Sequence, residues 1–233
     1  MTAQAPRLTT KEHAVNDPGP ATIESLERTR RSLHAIAELI MAGPQFDRSQ
    51  SIELRVCDGG FTTSRAPDLR MDGDTLVAGQ RRISLHGRSV AEVAADAGVS
   101  VRPLRDVYAV GPELGPDDRL ELDQTAARQI ARAFALGDQA MQTVAPDRPR
   151  VLWPEHFDVG MDRDEVNFGV SPGDGFCPEP YAYVGPWSFS ERAATDPEDA
   201  AFWNAPFGAS RTIRELDDEA GVQAFFEEGM RRA

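Results

Sequence analysis

Two stretches of this chain alternate apolar and polar residues with a period of two, and each is bracketed by segments of helical period. Period two sends successive side chains to opposite faces of a strand, while helical period gathers them on one side of a cylinder. Both kinds of apolar face are buried together when helices lie on antiparallel sheets, which predicts an α+β fold. In the first stretch, Thr22 caps a helix expected to run to about Ala42. Leu26, Leu33, Ile36, Ala37 and Ile40 fall on one of its faces, and Gly43-Pro44 is expected to stop it. Then Ile52, Leu54 and Val56 alternate with Glu53 and Arg55 up to a turn at Asp58-Gly59-Gly60. Short strands are expected near residues 61–63, 69–71, 76–77 and 82–85. Ser89 and Glu92 form a capping box for a short helix ending at Gly98.

Residues 100–118 hold Pro103, Pro112 and Pro116 and no periodicity. A long helix is expected from about Leu120 to Val144, with strands over residues 150–159, 166–171 and 181–187, an aromatic helix near 199–204, and a last helix over 218–232. The order helix, antiparallel strands, helix thus occurs twice. The organisation expected is a flexible tail over residues 1–20, an N-terminal α+β module over 21–110 and a C-terminal one over 117–233. The two meet at a cleft or merge into one continuous domain.

Charge and residue usage exclude several chemistries. The formal net charge is −13, which repels phosphate backbones, so a nucleic-acid partner is not expected. Residues 89–108 contain an Ala-Gly-Val-Ser turn resembling the helix-turn-helix of lac-repressor-type regulators. Pro103 would break the recognition helix, however, and Asp96 and Asp106 carry the wrong charge. No apolar run approaches a membrane span and no signal-peptide core is visible, so a cytoplasmic protein with no membrane partner is expected. Arginine supplies 24 of the 25 basic residues, and the only lysine is Lys11, in a polar tail. That leaves no Lys for a P-loop nucleotide site or a PLP Schiff base, and no GxGxxG follows a strand, so no Rossmann dinucleotide site is expected. Cys57 and Cys177 stand far apart and read as reduced structural thiols.

Function is expected where the aromatics gather. Thirteen of the 17 aromatic residues, including all three tryptophans, follow Pro149, and aromatic side chains line ligand pockets as well as cores. Read as one strand, residues 151–159 put His156 and Asp158 on the same face, opposite Trp153 and Phe157. A returning strand would place Asn167 beside them. Imidazole next to carboxylate suits a general base oriented by its neighbour, with His156 and Asp158 as catalytic residues. The same pair suits a metal ion, should one bind, with Asp174 or Glu179 as a third ligand. It also suits a plain packed hairpin. Tyr181, Tyr183 and Trp187 form an aromatic stripe, and the glycines of Ser171-Pro172-Gly173-Asp174-Gly175 permit close backbone approach to a ligand.

The runs WPEHFD, GVSPGD and PEPYAYVGPW resemble a group of actinobacterial proteins sharing W-P-x-H-F-D, G-x-S-P-G-D and P-E-P-Y-x-Y-V-x-P-W over about residues 150–233. The resemblance implies that Trp153 to Trp187 is one unit and implies no catalytic assignment. In that group a histidine often stands at the position of Glu155, so a two-histidine metal site is in doubt here. The expectation is therefore a protein holding a small molecule in an aromatic site of the C-terminal part. Its polar centre is His156 and Asp158, and Trp153, Asn167, Asp174, Glu179, Tyr181, Tyr183 and Trp187 contact the ligand; its cofactor, if any, is unknown. The alternatives are a structural or partner-binding protein, including a homo-oligomer, and a metal-dependent hydrolase or lyase.

Overall fold

Nine antiparallel pairings join ten strands into a single sheet in the order β10-β9-β8-β7-β6-β1-β2-β3-β4-β5. The computed structural model describes residues 19–189 and 197–233. The expected tail lies almost wholly outside them. The first meander comprises β1 (Leu54–Cys57), β2 (Gly60–Thr63), β3 (Leu69–Asp72), β4 (Thr75–Ala78) and β5 (Arg81–Ser84). The second comprises β6 (Val151–Trp153), β7 (Asp158–Arg163), β8 (Val166–Ser171), β9 (Tyr181–Pro186) and β10 (Ala209–Thr212). They join where Leu54 of β1 pairs with Leu152 of β6. The fold is α+β, with the helix–strands–helix order present twice, as the two periodicities predict.

The helices are α1 (Ile23–Ala35), α2 (Gly43–Ser49), α3 (Val90–Ala97), α4 (Gln124–Val144), α5 (Pro197–Phe202), α6 (Ile213–Leu216) and α7 (Glu219–Arg232). The capping box at α3 forms as expected, Ser89 and Glu92 each bonding the other's backbone N–H. No second helix follows it, so the helix-turn-helix resemblance ends at α3.

The long α4 covers one face of the sheet. A Cβ on its Gly137 would stand 2.5 Å from Val170 Cγ2 and 3.5 Å from Val159 Cγ1, so the missing side chain lets helix and sheet touch. On α7, Phe226 meets Phe168 edge to face at 5.8 Å. Val159, Phe168, Val170 and Val184 thus pack under α4 and α7 and are fully buried. By strand alternation the opposite face carries Asp158 and Gly160 of β7, Asn167, Gly169 and Ser171 of β8, and Tyr181 and Tyr183 of β9.

Gly43-Pro44 does not stop the first helix. The chain widens into a π-helical turn over Ile36–Ala42 and continues as α2 to Ser49, where Gln50 leaves in the left-handed region at φ 59°. Pro44 sits in the first turn of α2, and the Leu39 carbonyl in the preceding π-turn is satisfied from outside the helix by Arg102 N–H at 2.9 Å. Gly43 is there for contact rather than termination, because a Cβ would stand 2.0 Å from the Arg102 carbonyl oxygen. The strand expected over residues 150–159 is also corrected. It is a hairpin, β6 and β7, closed by Phe157 N–H donating to the Trp153 carbonyl at 2.8 Å. Pro154 lacks the N–H a ladder needs, and Phe157 adopts φ 53°. In consequence Asp158 pairs with Trp153 and shares its face, opposite Leu152, and His156 sits in the turn.

Candidate functional site

Where β7, β8 and β9 present the face away from α4, the sheet is hollowed by glycine. Gly160 and Gly169 are register partners on β7 and β8, and Gly169 is also paired with Tyr183 on β9. A Cβ on Gly169 would stand 2.4 Å from Tyr183 Cζ, and one on Gly160 3.3 Å from Tyr183 Oη. The Tyr183 ring therefore lies flat across both glycines, and its hydroxyl reaches over β8 to donate to Asp158 Oδ2 at 2.5 Å. Burial pushes the Asp158 carboxyl above the usual carboxylate range, partly offset by this bond and by the nearby His156. Burial and the Asp158 carboxylate together raise the Tyr183 phenol well above its ordinary value. Asp158 Oδ1 is buried and finds no hydrogen-bond partner among the described residues.

This face forms the floor of a pocket of about 860 Å³. Tyr181, Tyr183 and Phe207 cluster on it, with ring centroids 6.3–6.4 Å apart. Phe157 and Phe189 add further rings, and Trp187 stands at the edge, 63% exposed. Helix α1 supplies a wall through Arg30, Arg31 and His34, which share one side of the helix by their i, i+1, i+4 spacing. Arg31 pairs with Glu113 at 2.9 Å. Arg30 Nη1 is buried, packed where a Cβ on Gly173 would stand 2.9 Å away, and has no hydrogen-bond partner among the described residues. Gly173, at φ +100°, thus uses its freedom to admit a guanidinium. The remaining wall comes from Val110, Gly111 and Glu113. That loop is tied to the π-helical turn by buried Glu38, which accepts from Leu104 N–H and from Tyr108 Oη, both at 3.0 Å. Burial raises the Glu38 carboxyl, and those two bonds oppose the shift.

His34 is the imidazole set into the pocket wall. It stacks on Phe157 at 5.6 Å with an interplanar angle of 6°. Its Nε2 lies 2.8 Å from the Pro154 carbonyl; a carbonyl only accepts, so Nε2 carries the proton and donates. Burial lowers the ring's pKa to about 4, leaving it neutral at physiological pH with its lone pair on Nδ1.

Most of the residues expected from sequence line this one pocket: His156, Asp158, Asn167, Asp174, Tyr181, Tyr183 and Trp187. Their pairings differ from those expected. His156 is exposed in its turn and meets Glu155 at 3.1 Å, while Asp158 holds Tyr183, so the expected orientation of His156 by Asp158 is replaced. Asn167 accepts from Trp187 Nε1 at 3.0 Å. Asp174 organises its own loop, accepting from Phe176 and Cys177 N–H at 2.8 and 3.0 Å and from Tyr181 Oη at 2.6 Å. Two expected contacts fall outside the lining. Trp153 packs beside Gly160, and Glu179 pairs with Arg214 at 2.9 Å. Burial pushes the Cys177 thiol up, away from a reactive thiolate.

Among the described residues no three His, Cys, Asp or Glu side chains gather in a metal-ligating group, and no helix is long and apolar enough to cross a membrane. A second hollow of about 780 Å³, between α4 and the β3–β4 turn, is walled by Asp72, Asp74, Arg82, Arg128 and Asp138 and holds no aromatic ring. Reasoning from sequence missed Arg30, Arg31 and His34, along with the glycine pair beneath Tyr183. The readable signal was an Arg–His pair at i, i+4 beside the apolar stripe of α1. No protein-family model, characterised protein or solved structure gives a significant match to this chain.

Proposed function

We propose that this protein holds a small molecule on the glycine-hollowed face of β7–β9, with Asp158–Tyr183, Arg30 and His34 as its polar centre. The observation that carries this reading is one aromatic-lined hollow that brings the Arg30 side chain, which has no ion pair among the described residues, beside the Asp158–Tyr183 pair and His34. A ligand with complementary polar groups gives that cation a partner. The volume suits a small organic molecule. Rings on the floor favour a planar occupant, which gains by offset or edge-to-face contact. If the ligand is turned over, His34 is the better oriented of the two imidazoles, its tautomer fixed by the Pro154 carbonyl, but burial makes it a weak base.

Gly175 offers a clean test. It lines the pocket, and a Cβ there meets nothing within 4 Å, so Gly175→Trp adds a ring at the edge of the hollow without displacing the fold. Planar aromatic fragments screened by ligand-observed NMR are expected to bind the unmodified protein and to bind Gly175→Trp several-fold more weakly. Fragments that ignore the substitution, or a library with no binders, would count against the pocket. A second reading rests on Trp187, Phe176 and Val110, which are 63%, 47% and 55% exposed and could be covered by another copy of the chain. Light scattering across a concentration series decides it. A dimer weakened by Trp187→Ala supports it, and a monomer throughout removes it.

A further inference from the structure

We infer that the occupant is a planar aromatic carboxylate whose anionic group is received by Arg30; this rests on the pocket reading above and names its ligand class. The inference comes from the state of the charged groups around the hollow. Arg31 already faces a carboxylate, its Nε 2.9 Å from Glu113 Oε2 though not aligned for a hydrogen bond. Every hydrogen-bonding direction that Asp174 uses is turned toward its own loop and Tyr181. Glu155 faces His156 at the rim. The Asp158 carboxyl is buried, which favours its neutral form, and its Oδ2 is held by Tyr183. The Arg30 side chain differs from all of these in having neither an ion pair nor a hydrogen bond among the described residues, although it is half-buried and lines the hollow. Its Nη1 edge packs against Gly173, and the guanidinium stands at the hollow without a counter-charge. A carboxylate supplies that counter-charge in the fork geometry that guanidinium prefers.

The rest of the ligand is set by the floor. Tyr181, Tyr183 and Phe207 present ring faces and edges, and the Gly160–Gly169 pair lets the Tyr183 ring lie down on the sheet. A fused or single aromatic ring fills such a space, whereas a flexible polar chain would leave the rings uncovered. The neutral His34 adds no charge to the wall against which the ring would lie. The chain as a whole carries −13, so selection for an acid must be local, and Arg30 is the local cation.

The experiment compares a matched pair, 2-naphthoate and 2-naphthamide, titrated by calorimetry or NMR into the unmodified protein, Arg30→Gln and Arg30→Lys, with thermal melts of all three. A charge-assisted pair predicts that naphthoate binds the unmodified protein about tenfold or more tighter than naphthamide. Arg30→Gln is expected to abolish that preference while naphthamide binding changes little, and Arg30→Lys to retain part of it. Raising salt should weaken only the acid. Equal binding of acid and amide, or a preference that survives in Arg30→Gln, overturns the carboxylate while leaving the pocket standing. If neither compound binds, the ligand class is wrong, and the fragment screen with Gly175→Trp decides separately whether the pocket is. Should Arg30→Gln fail to fold, the acid–amide difference in the unmodified protein and in Arg30→Lys still decides the question.

Discussion

Tyr183 on β9 donates its hydroxyl to Asp158 on β7, two strands away, by lying across Gly169 and Gly160. A side chain at Gly169 would lift the ring off the sheet, and one at Gly160 would crowd its hydroxyl at 3.3 Å. The bond is therefore built by what the intervening strand lacks, and it shapes the floor of the pocket.

That relationship predicts the effect of a single methyl group. Gly169→Ala places Cβ 2.4 Å from Tyr183 Cζ and 2.6 Å from the Val159 carbonyl oxygen. Overpacking of this kind costs about 1–3 kcal/mol. Gly175→Ala, in open space, should stay within about 0.5 kcal/mol of the parent. Urea denaturation of both variants checks this, and a Gly169→Ala protein as stable as Gly175→Ala contradicts the geometry.

Tyr183→Phe removes the donor and leaves Asp158 Oδ2 in the same surroundings. The Tyr183 bond lowers the Asp158 pKa against the larger effect of burial, so its loss should move the carboxyl still further up. The expected cost in stability is about 1–3 kcal/mol for an unsatisfied buried acceptor. Carbon-detected NMR titration of the aspartate carboxyls reads the shift, and an unchanged Asp158 titration would show that the hydroxyl is not its partner in solution.

His34 should make the protein acid-sensitive. Its folded-state pKa is depressed from 6.5 to about 4, so the unfolded chain takes up a proton that the folded chain resists. Its contribution to stability is intact above about pH 6.5 and is lost as pH falls toward 4, amounting to about 3 kcal/mol across that window. Glu38 and Asp158 act in the opposite sense. Their raised values favour the fold below the usual carboxylate range, and that benefit fades as pH rises through the elevated values. Comparing His34→Asn with the parent isolates the histidine. Between pH 7 and 4.5 the parent should lose stability more steeply, and parallel curves would contradict a buried neutral imidazole.

Glu38→Ala frees Leu104 N–H and Tyr108 Oη, which now bond the buried carboxyl. A loss of about 1–3 kcal/mol is expected, together with faster amide exchange at Leu104. Since Val110, Gly111 and Glu113 form a wall of the pocket, fragment binding should weaken as well. Undiminished protection at Leu104 would mean that the loop is held by something other than Glu38.

Periodicity made the frame legible. The alternation from Ile52 to Val56, the capping box at Ser89 and Glu92, and the stripe on α4 are local patterns, and local hydrogen bonds and burial decide them. What escaped was decided by contact at a distance. Gly43 reads as a helix stop until Arg102 is seen crossing it. Residues 151–159 read as one strand when only their side chains are weighed, although Pro154 already argued for a turn. Strand β10 lies at the sheet edge and pairs only with β9, and it carries too few alternating residues to announce itself. The aromatic concentration led to the face of the sheet that floors the larger hollow. The α1 wall went unseen because Arg30 and His34 become a site only when the β6–β7 turn is brought against them.

The account is tested most directly by a crystal structure of the protein soaked with 2-naphthoate. It predicts density for the ring over Tyr181, Tyr183 and Phe207, with the carboxylate within hydrogen-bonding distance of the Arg30 guanidinium. Solvent alone on that face, in crystals grown from protein that binds the compound in solution, would place the site elsewhere and contradict it.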